Sequence, residues 1–393
     1  IGVVQDLNRL SWNSAQCQLR KINLPIGDSA KIVPPRLLHG SQWGIIDPVD
    51  TPDGGNVGTH KHMSITTNIT SGYSSNTIID YLKKINIILL DDLKPQYLSD
   101  TTKIFVNGKW LGNIDNPIEL MKDLKNERRI GNIDIYTSIS WNIQQSIIYI
   151  YTDAGRLLRP IFYVDNETRT ISYNKKNIID KIMKDEFTWN DLIYGFKPTN
   201  ADNKAVIEYM DTAEAETAMI SMENNIDFTN NMHTHAEIHP SLILGIMGNQ
   251  IIFAANNQLP RDLFFCGQAK QAVSLYHSNY QNRIDKMGVV INYGQVPLIK
   301  SKYLKYINRE EHPYGVNTIV AIASYNGYNV EDAIIFNKSS VDRGLFNTTY
   351  FNSYEAYENS ENVGGNVINK VFVNVENSNI QRLKPDCDYN YLD

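Results

Sequence analysis

The chain has 393 residues, 42% of them hydrophobic and 20% charged, which is the composition of an ordinary globular protein of roughly two to four domains. No apolar run reaches about eighteen residues, so the sequence predicts no membrane span. The three cysteines, Cys17, Cys266 and Cys387, stand alone, which excludes a disulfide framework and favours a reducing, intracellular compartment.

The distribution of charge is more informative than its sum. A formal net charge of −6 argues by itself against a nucleic-acid-binding protein. Yet Lys and Arg outnumber Asp and Glu in residues 8–36 and 261–309, whereas residues 205–260 contain no Lys or Arg. Such a chain can offer a polyanion one basic face while the rest stays acidic. The alternative is that all these charges lie on a solvated surface.

The first predicted block, residues 1–70, begins with a helical pattern around Val4–Arg20. A stretch rich in Pro and Gly follows at 34–58, and so many turn residues predict an irregular loop.

The second block, residues 71–165, has the pattern of a small α/β module. A helix is predicted within 75–90 and a strand pair about Asn107-Gly108, a dipeptide typical of tight hairpins. Residues 116–131 predict a helix, with Pro in its first turn and Gly after its end. Residues 146–164 predict strands about a turn.

The third block, residues 166–230, is a smaller, acidic, mixed segment. The fourth, residues 231–393, contains the second basic zone. Within it, residues 267–288 have helical spacing, and the strand-like run 320–325 breaks at Asn326-Gly327.

The motif HTHAEIH is the first candidate site. His233 and His235 would lie on one face of a strand, and with Glu237 and His239 they could hold a metal ion for a metal-dependent hydrolase. The alternative is that these histidines make structural hydrogen bonds around Pro240.

The second candidate is Arg261, which follows Pro260 directly ahead of a predicted helix. An arginine there can reach a phosphate with two parallel hydrogen bonds. Lys270 and Gln271 would lie further along the helix. The alternative is a surface arginine beside a solvated helix.

The third candidate is the adjacent pair Glu331 and Asp332. Their carboxylates could hold a divalent metal. They could act as an acid/base pair, although neighbours on a strand point to opposite faces. They could also form salt bridges to Lys338, to Arg343 or to a distant base, and spacing alone favours this last interpretation.

Taken in order, the motifs resemble the second-largest subunit of multisubunit DNA-directed RNA polymerases, the counterpart of the bacterial β subunit. The eukaryotic and large-DNA-virus branch is the most similar. The sequence PRLLHGSQWGIIDPVDTPDG is similar to the family's PRxLHxxxWGxxCPxETPEG, with Asp47, Asp50 and Asp53 in place of Cys, Glu and Glu. The other matching stretches are LNRLSWNSAQCQLRKINLPI, TDAGRLLRPIF, EYMDTAEAE, HAEIHPSLILG, NNQLPRDLFFCGQAKQA and YNGYNVEDAIIFNKSSVDRGLF.

The resemblance implies a multidomain α+β fold. Residues 1–70 would form a fork-like region, 71–165 and 166–230 two small external α/β modules, and 231–393 the start of a β-rich hybrid-binding domain. Because further segments of the subunit are expected on both sides, the chain is expected to be an internal fragment that is not active alone.

The resemblance also implies a function: template-dependent transfer of nucleotidyl groups from NTPs to the RNA 3′ end. Mg²⁺ would be held mainly by the largest subunit and the NTP. Glu331 and Asp332 would lie near the second Mg²⁺, which the NTP brings, and bind it directly or through water. Arg261 would contact the triphosphate, while Lys270 and Gln271 would follow the RNA strand of the RNA–DNA hybrid.

Further expectations follow from the same resemblance. Arg20 and Arg36 would lie beside the downstream DNA and the active centre. The partners would be the largest and other polymerase subunits, the DNA template, the hybrid and NTPs, with no membrane. A zinc site is expected only outside this chain. The location would be the nucleus, or the host cytoplasm or virion for a viral protein. A non-catalytic polymerase scaffold remains an alternative.

Overall fold

The structure is a computed structural model that describes residues 4–26, 32–85, 87–98, 101–173, 176–186, 188–194, 204–308 and 310–374. Short helices alternate with several small sheets, so the predicted multidomain α+β fold is confirmed. The helices are α1 (Trp12–Leu19), α2 (Asn76–Lys84), α3 (Pro117–Ile130), α4 (Lys176–Met183), α5 (Trp189–Tyr194), α6 (Thr212–Ala215), α7 (Leu259–Gln271), α8 (Leu304–Asn308) and α9 (Lys338–Asp342).

The strands are short, as expected for sheets assembled from many connections. They are β1 (Lys21–Asn23), β2 (His60–His62), β3 (Asn68–Ser71), β4 (Ile88–Leu89), β5 (Thr102–Val106), β6 (Lys109–Ile114), β7 (Ser138–Asn142), β8 (Ile147–Tyr151), β9 (Ala154–Tyr163), β10 (Ile207–Asp211), β11 (Ile220–Ser221), β12 (His235–Ala236), β13 (Met287–Ile291), β14 (Thr348–Asn352), β15 (Asn359–Val363) and β16 (Asn366–Lys370).

One five-stranded sheet has the order β4-β6-β5-β8-β7, in which only β5 and β8 run parallel. Helices α2 and α3 contribute to its apolar core, where Leu82, Ile104, Leu124, Ile139 and Ile148 are almost fully buried. The alternating burial along β5 and β8 places every second side chain in this core. The α/β character predicted for this part of the chain is therefore confirmed.

Local signals in this module predicted the structure well. Asn107 and Gly108 both have positive φ, 48° and 79°, and join β5 to β6 as a tight turn. The Asn116 side chain accepts from the Glu119 amide to cap α3, and Gly131 ends the helix at φ 93°. Both predictions are confirmed.

The second five-stranded sheet has the order β10-β9-β12-β11, with β3 also paired to β9. Strands β8 and β9 follow each other in the chain, as predicted, but lie in different sheets. The long strand β9 joins chain segments that are distant in sequence, so this sheet draws strands from all four predicted blocks. The division at residues 70, 165 and 230 stays a prediction.

Three predicted elements differ from the structure. Helix α1 begins only at Trp12, because the Ser11 side chain caps it and the Gln18 side chain binds the backbone of Asp6 and Asn8. The helical pattern of 267–288 is wrong beyond Gln271, where the backbone becomes extended.

The strand-like run 320–325 is also not a strand. It has no regular secondary structure, and most of its side chains are exposed. A strand needs a neighbour to satisfy its amide and carbonyl groups. None of the strands that the structure describes pairs with this run.

A buried charge network holds α3 against the second sheet. Arg128 is 2% exposed, and its Nη1 and Nη2 each lie 2.8 Å from an oxygen of Glu214. Its Nη1 also donates to the Thr137 carbonyl at 2.7 Å. Arg129 Nε lies 2.9 Å from Glu208, a residue of β10. Burial alone would raise the pKa of Glu208, but Arg129, His235 and Arg128 hold it well below its usual range.

The acids of residues 205–260 are therefore not all a solvated surface. Asp211 and Glu237 are also buried and pair with Arg156 and Arg159, at 3.3 and 2.5 Å. The basic partners come from α3 and β9, outside the acidic stretch. This pairing explains why a segment without Lys or Arg can lie in the interior.

Replacing Arg128 by Met should destabilise the chain by about 3–5 kcal/mol, because the buried Glu214 would lose both of its 2.8 Å contacts to the guanidinium and keep only Lys125, at 3.2 Å. The control is Lys122→Met on the same helix, whose pair with Glu167 is exposed to solvent and should contribute little to stability. Thermal or urea denaturation measures both. Equal losses of stability in the two variants would contradict the role of the network.

Candidate functional site

The end of α7 is fixed to the start of α1. Ser11 Oγ donates to the Lys270 carbonyl at 2.5 Å, and Asn13 Nδ2 donates to the Ala269 carbonyl at 3.4 Å. The last carbonyls of a helix have no partner within it, so side chains from α1 satisfy them here. Two segments about 260 residues apart therefore form one wall.

Buried apolar side chains lie beneath this wall, among them Cys17, Met247 and Cys266. Burial raises the pKa of the Cys17 thiol to about 12 and also raises that of Cys266. Both thiols therefore stay protonated at neutral pH, as expected for cysteines that pack rather than react.

A cleft of about 750 Å³ opens over the wall. Residues before and within α1, the loop that carries Asp50 and Asp53, strand β2 and the face of α7 all line it. The polar residues lining it are Gln5, Asp6, Asn8, Ser14, Gln18, Lys21, Asp50, Thr51, Asp53, His62, Gln268, Lys270 and Gln271. The structure thus brings the predicted residues Lys270 and Gln271 to one surface with the DTPDG loop.

Lys270 is held by two neighbours in the cleft. Its Nζ lies 2.6 Å from Asp50 Oδ1 and 3.4 Å from His62 Nε2. His62 Nδ1 lies 3.0 Å from the Asp50 carbonyl and 3.3 Å from Asp50 Oδ2. Burial lowers the pKa of His62, so its ring is neutral at pH 7. The neutral ring donates from Nδ1 to Asp50 and accepts at Nε2 from Lys270.

Asp47 fixes the loop before Asp50. It stands where the family that this sequence resembles usually has Cys. Its Oδ1 accepts from the Val49 amide at 2.9 Å and its Oδ2 from the Gly245 amide at 2.8 Å. Burial and the nearby Asp50 raise the pKa of Asp47 to about 6. A Cβ at Gly245 would lie 2.7 Å from Asp47 Oδ2, so the carboxyl is tightly enclosed.

Arg20 and Arg36 lie in this region, but both already bind backbone. Arg20 Nη2 donates to the Ser64 carbonyl at 2.5 Å and makes longer contacts to those of Ile65 and Thr67. Arg36 Nη1 donates to carbonyls in the loop 55–57, at 2.5 and 3.0 Å. Their contact with nucleic acid stays a prediction.

Arg261 has separate surroundings. It is exposed in the first turn of α7, with its guanidinium carbon 5.7 Å from the centre of the Phe264 ring. It lines a second cavity of about 410 Å³ that also includes Lys300 and Tyr314. Asp262 is buried, and within the described parts of the chain no ion pair joins it to Arg261. Arg261 therefore presents its charge to solvent.

Glu331 and Asp332 are exposed, and both have positive φ, 56° and 66°. The salt-bridge interpretation is wrong for the residues that the structure describes, since among them neither acid forms an ion pair with Lys338, with Arg343 or with a more distant base. The Arg343 guanidinium instead donates to the Ser339 carbonyl. The two carboxylates therefore keep their charges available to a ligand.

The metal-site interpretation of HTHAEIH is also wrong. Three of its side chains have separate partners: His235 Nε2 lies 2.6 Å from Glu208, Glu237 binds Arg159, and His239 lies 2.6 Å from Ser241 Oγ. The His233 ring instead packs edge-on against Phe228, and its buried Nδ1 has no hydrogen-bond partner among the described residues. No group of three or more His, Cys, Asp or Glu able to hold a metal occurs among the described residues. The basis for a metal-dependent hydrolase is therefore absent from this motif, and the alternative of structural hydrogen bonds fits His235 and His239.

His235 should make the stability of the chain depend on pH. Burial lowers its pKa from the ordinary 6.5, so the folded chain binds fewer protons than the unfolded chain. Its contribution is complete above about pH 6.5 and is lost as pH falls through its lowered folded-state pKa. His235→Gln should therefore flatten the fall in melting temperature between about pH 7.5 and 5.5.

His39→Gln is the control for this prediction, because His39 is exposed. It should leave the pH dependence of the melting temperature as in the unmodified chain. An unchanged pH dependence in His235→Gln would contradict the assignment of a neutral, buried imidazole.

Sequence reasoning missed the contact of Asp50 and His62 with Lys270. The pairing of β1 with β2 places His62 opposite Lys21, at the base of the cleft. The HKH motif directly after the Gly-rich loop was the available signal. Its partner Lys270 lies 208 residues further along, so spacing gave no indication of the contact.

Three family models match this chain. The model "RNA polymerase Rpb2, domain 3" matches residues 5–69, "RNA polymerase Rpb2, domain 4" matches 104–165, and "RNA polymerase Rpb2, domain 6" matches 247–392. The three matches occur in order and together cover more than half of the chain. The chain belongs to the family of second-largest RNA polymerase subunits.

Individual relatives support the same family. The chain is 38% identical to "DNA-directed RNA polymerase II subunit 2" of Arabidopsis thaliana, over 91% of this chain and 30% of the relative. It is 36% identical to subunit RPB2 of Encephalitozoon cuniculi, over 100% of this chain and 34% of the relative. It is 33% identical to subunit Rpo2 of Sulfolobus acidocaldarius, over 91% and 31%.

The chain thus spans about a third of the length of these curated relatives. The domain 3 match contains Asp50 and His62, and the domain 6 match contains Arg261, Lys270 and the Glu331–Asp332 pair. The cleft therefore lies where two domains of this family meet.

No helix in the described parts of the chain combines the length and the hydrophobicity that a membrane span requires.

Proposed function

We propose that this chain is part of a DNA-directed RNA polymerase and supplies one side of its nucleic-acid and nucleotide site. The observation that carries the proposal is the cleft shared by the two matched domains, with Lys270 and Gln271 on its surface. Lys270 and Gln271 contact the RNA strand of the hybrid through its backbone, which carries no sequence information. Such contacts suit an enzyme that must copy any template.

Arg20 and Arg36 are proposed to lie beside the downstream DNA and the active centre. Their hydrogen bonds to backbone carbonyls give them a second role, since they stabilise the loops that shape this region. The largest and other polymerase subunits, the DNA template, the hybrid and NTPs are the proposed partners. The proposed location is the nucleus, or the host cytoplasm or virion for a viral protein.

Arg261 is proposed to bind the NTP triphosphate. It is exposed and, among the described residues, forms no ion pair with an acid. Its guanidinium can donate two parallel hydrogen bonds to phosphate and offset the charge that develops on the leaving pyrophosphate.

Glu331 and Asp332 are proposed to lie near the Mg²⁺ that the NTP brings, and they bind it directly or through water. Exposed carboxylates are the oxygen ligands that Mg²⁺ prefers, and two of them do not form a complete site. The ion therefore depends on further ligands from the largest subunit and the NTP. When bound, Mg²⁺ neutralises phosphate charge and orients the leaving oxygen.

Arg261→Ala should raise the KM for NTP by about tenfold or more, since one charge-assisted contact contributes about 1.5–3 kcal/mol. The measurement is single-nucleotide addition by the full subunit assembled with its partner subunits. The control is Lys109→Ala, which removes an exposed cation from the β5–β6 hairpin.

An unchanged KM in Arg261→Ala would contradict the triphosphate role. The same result, normal extension over a wide range of NTP concentrations, would favour the non-catalytic scaffold alternative for this part of the chain.

Replacing both Glu331 and Asp332 by Ala should raise the Mg²⁺ concentration needed for half-maximal extension by severalfold, because two carboxylates near the ion are lost. A Mg²⁺ titration of the assembled enzyme measures the shift. The control removes two other exposed acids, Asp342 and Glu355, by substitution with Ala. A wild-type titration curve in the first variant would count against the proposed position.

A further inference from the structure

Lys270 does not present a free charge to the cleft. Its ammonium lies 2.6 Å from Asp50 Oδ1 and 3.4 Å from His62 Nε2, and its side chain is only 21% exposed. A lysine ammonium has three donors. Two of them are directed at Asp50 and His62, and no third protein acceptor lies within hydrogen-bond distance among the described residues. One donor is therefore left for a ligand.

Asp50 cannot easily move away to release the lysine. Its side chain is 2% exposed, and His62 binds both its backbone carbonyl and its carboxylate. The loop before it is fixed by Asp47, whose carboxylate accepts from the amides of Val49 and Gly245. The carboxylate is thus held at one position beneath the cleft surface.

The backbone of Lys270 is fixed as well. The Ser11 hydroxyl binds its carbonyl, and the Asn13 amide binds the carbonyl of Ala269. Both partners of the ion pair are consequently positioned by independent contacts. The ion pair is therefore fixed by the surrounding structure, unlike a pair of two flexible surface side chains.

We propose that Asp50 is a positioning residue that competes with a nucleic-acid phosphate for the Lys270 ammonium, and so weakens the hold of the cleft on the RNA backbone. The proposal rests on the function proposed above, in which Lys270 faces the RNA strand. A phosphate that approaches Lys270 meets an ammonium whose charge is already offset by a buried carboxylate. The contact formed is weak and is broken readily.

A weak contact suits this position in the molecule. A polymerase must release each backbone contact after every nucleotide so that the hybrid can advance. A fully available lysine would bind one more phosphate and release one more counterion. Asp50 limits that contact because it offsets part of the charge of the ammonium.

The experiment measures binding of an RNA–DNA hybrid scaffold to the assembled polymerase at several salt concentrations, from roughly 50 to 200 mM. Asp50→Asn keeps the shape of the side chain and removes its charge. It should tighten binding and steepen the slope of log K against log salt by about 0.7–0.9, the effect of one further phosphate contact. Asp50→Glu keeps the negative charge and introduces the residue usual in the family. Its slope should therefore equal the wild-type slope.

Two controls distinguish the Asp50–Lys270 ion pair from the summed electrostatic potential of the other charges in the cleft. Asp53→Asn removes the same charge from the same loop, but Asp53 is exposed and makes no ion pair with Lys270 within the described residues. It should change the slope much less. In a Lys270→Met background, Asp50→Asn should have no further effect, because its action passes through the lysine.

Each outcome decides between the hypotheses. A slope in Asp50→Asn equal to wild type, or equal to Asp53→Asn, overturns the competition. An effect of Asp50→Asn that persists in Lys270→Met also overturns it. If Lys270→Met itself leaves binding unchanged, the proposed RNA contact of Lys270 fails, which is a separate result from failure of the Asp50 role.

A second variant covers the case in which Asp50→Asn does not assemble. His62→Leu removes the other acceptor of Lys270 and the donor that fixes Asp50, without changing a formal charge at neutral pH. It should steepen the slope in the same direction but by less. A shallower slope in His62→Leu contradicts the proposal.

Discussion

Buried charge that must be paired is the constraint on which this structure depends. An ionised side chain inside a protein is costly unless a partner and hydrogen bonds offset the loss of water. The chain meets this constraint with acids from one segment and bases from another. Glu208 and Glu214 pair with Arg128 and Arg129 of α3, and Asp50 pairs with Lys270 of α7. These pairs join segments that are far apart in sequence.

The same constraint explains why charge patterning alone was ambiguous. A segment of residues 205–260 with acids and no bases reads as a solvated acidic surface, yet Glu208 and Glu214 are buried. Their arginines lie about 80 residues away, in α3. The composition of residues 205–260 shows acids without bases. The basic partners of these acids become visible only in the folded chain. The net charge of a segment therefore says little about the charge at its surface.

Local chemistry in the sequence predicted local structure. Asn107-Gly108, Pro117 and Gly131 each require a particular backbone conformation, so the hairpin and the helix α3 followed from them. Helical spacing failed at 267–288, because α7 ends where α1 binds its last carbonyls. The strand-like run 320–325 failed because strand formation depends on a partner that spacing does not specify.

The sequence likewise predicted some residues of the candidate site and missed others. Motif resemblance identified Lys270, Gln271 and Arg261, and the structure brings the first two to the cleft. The resemblance did not identify Asp50 and His62 as neighbours of Lys270, because contacts across 220 and 208 residues leave no periodic signal. HTHAEIH shows the opposite error. A compact motif suggested a joint site, but His235, Glu237 and His239 bind different partners.

The departures from the family pattern are best understood together. Asp47, Asp50 and Asp53 all lie in one loop, and each has a different environment. Asp47 is enclosed by backbone amides, Asp50 is paired with Lys270, and Asp53 is exposed. A shorter carboxylate at position 50 still reaches the ammonium, because α1 and Asp47 bring α7 and the loop close together. The function of this loop therefore depends on its packing as much as on its charge, and a substitution in α1 should alter the cleft as surely as one within it.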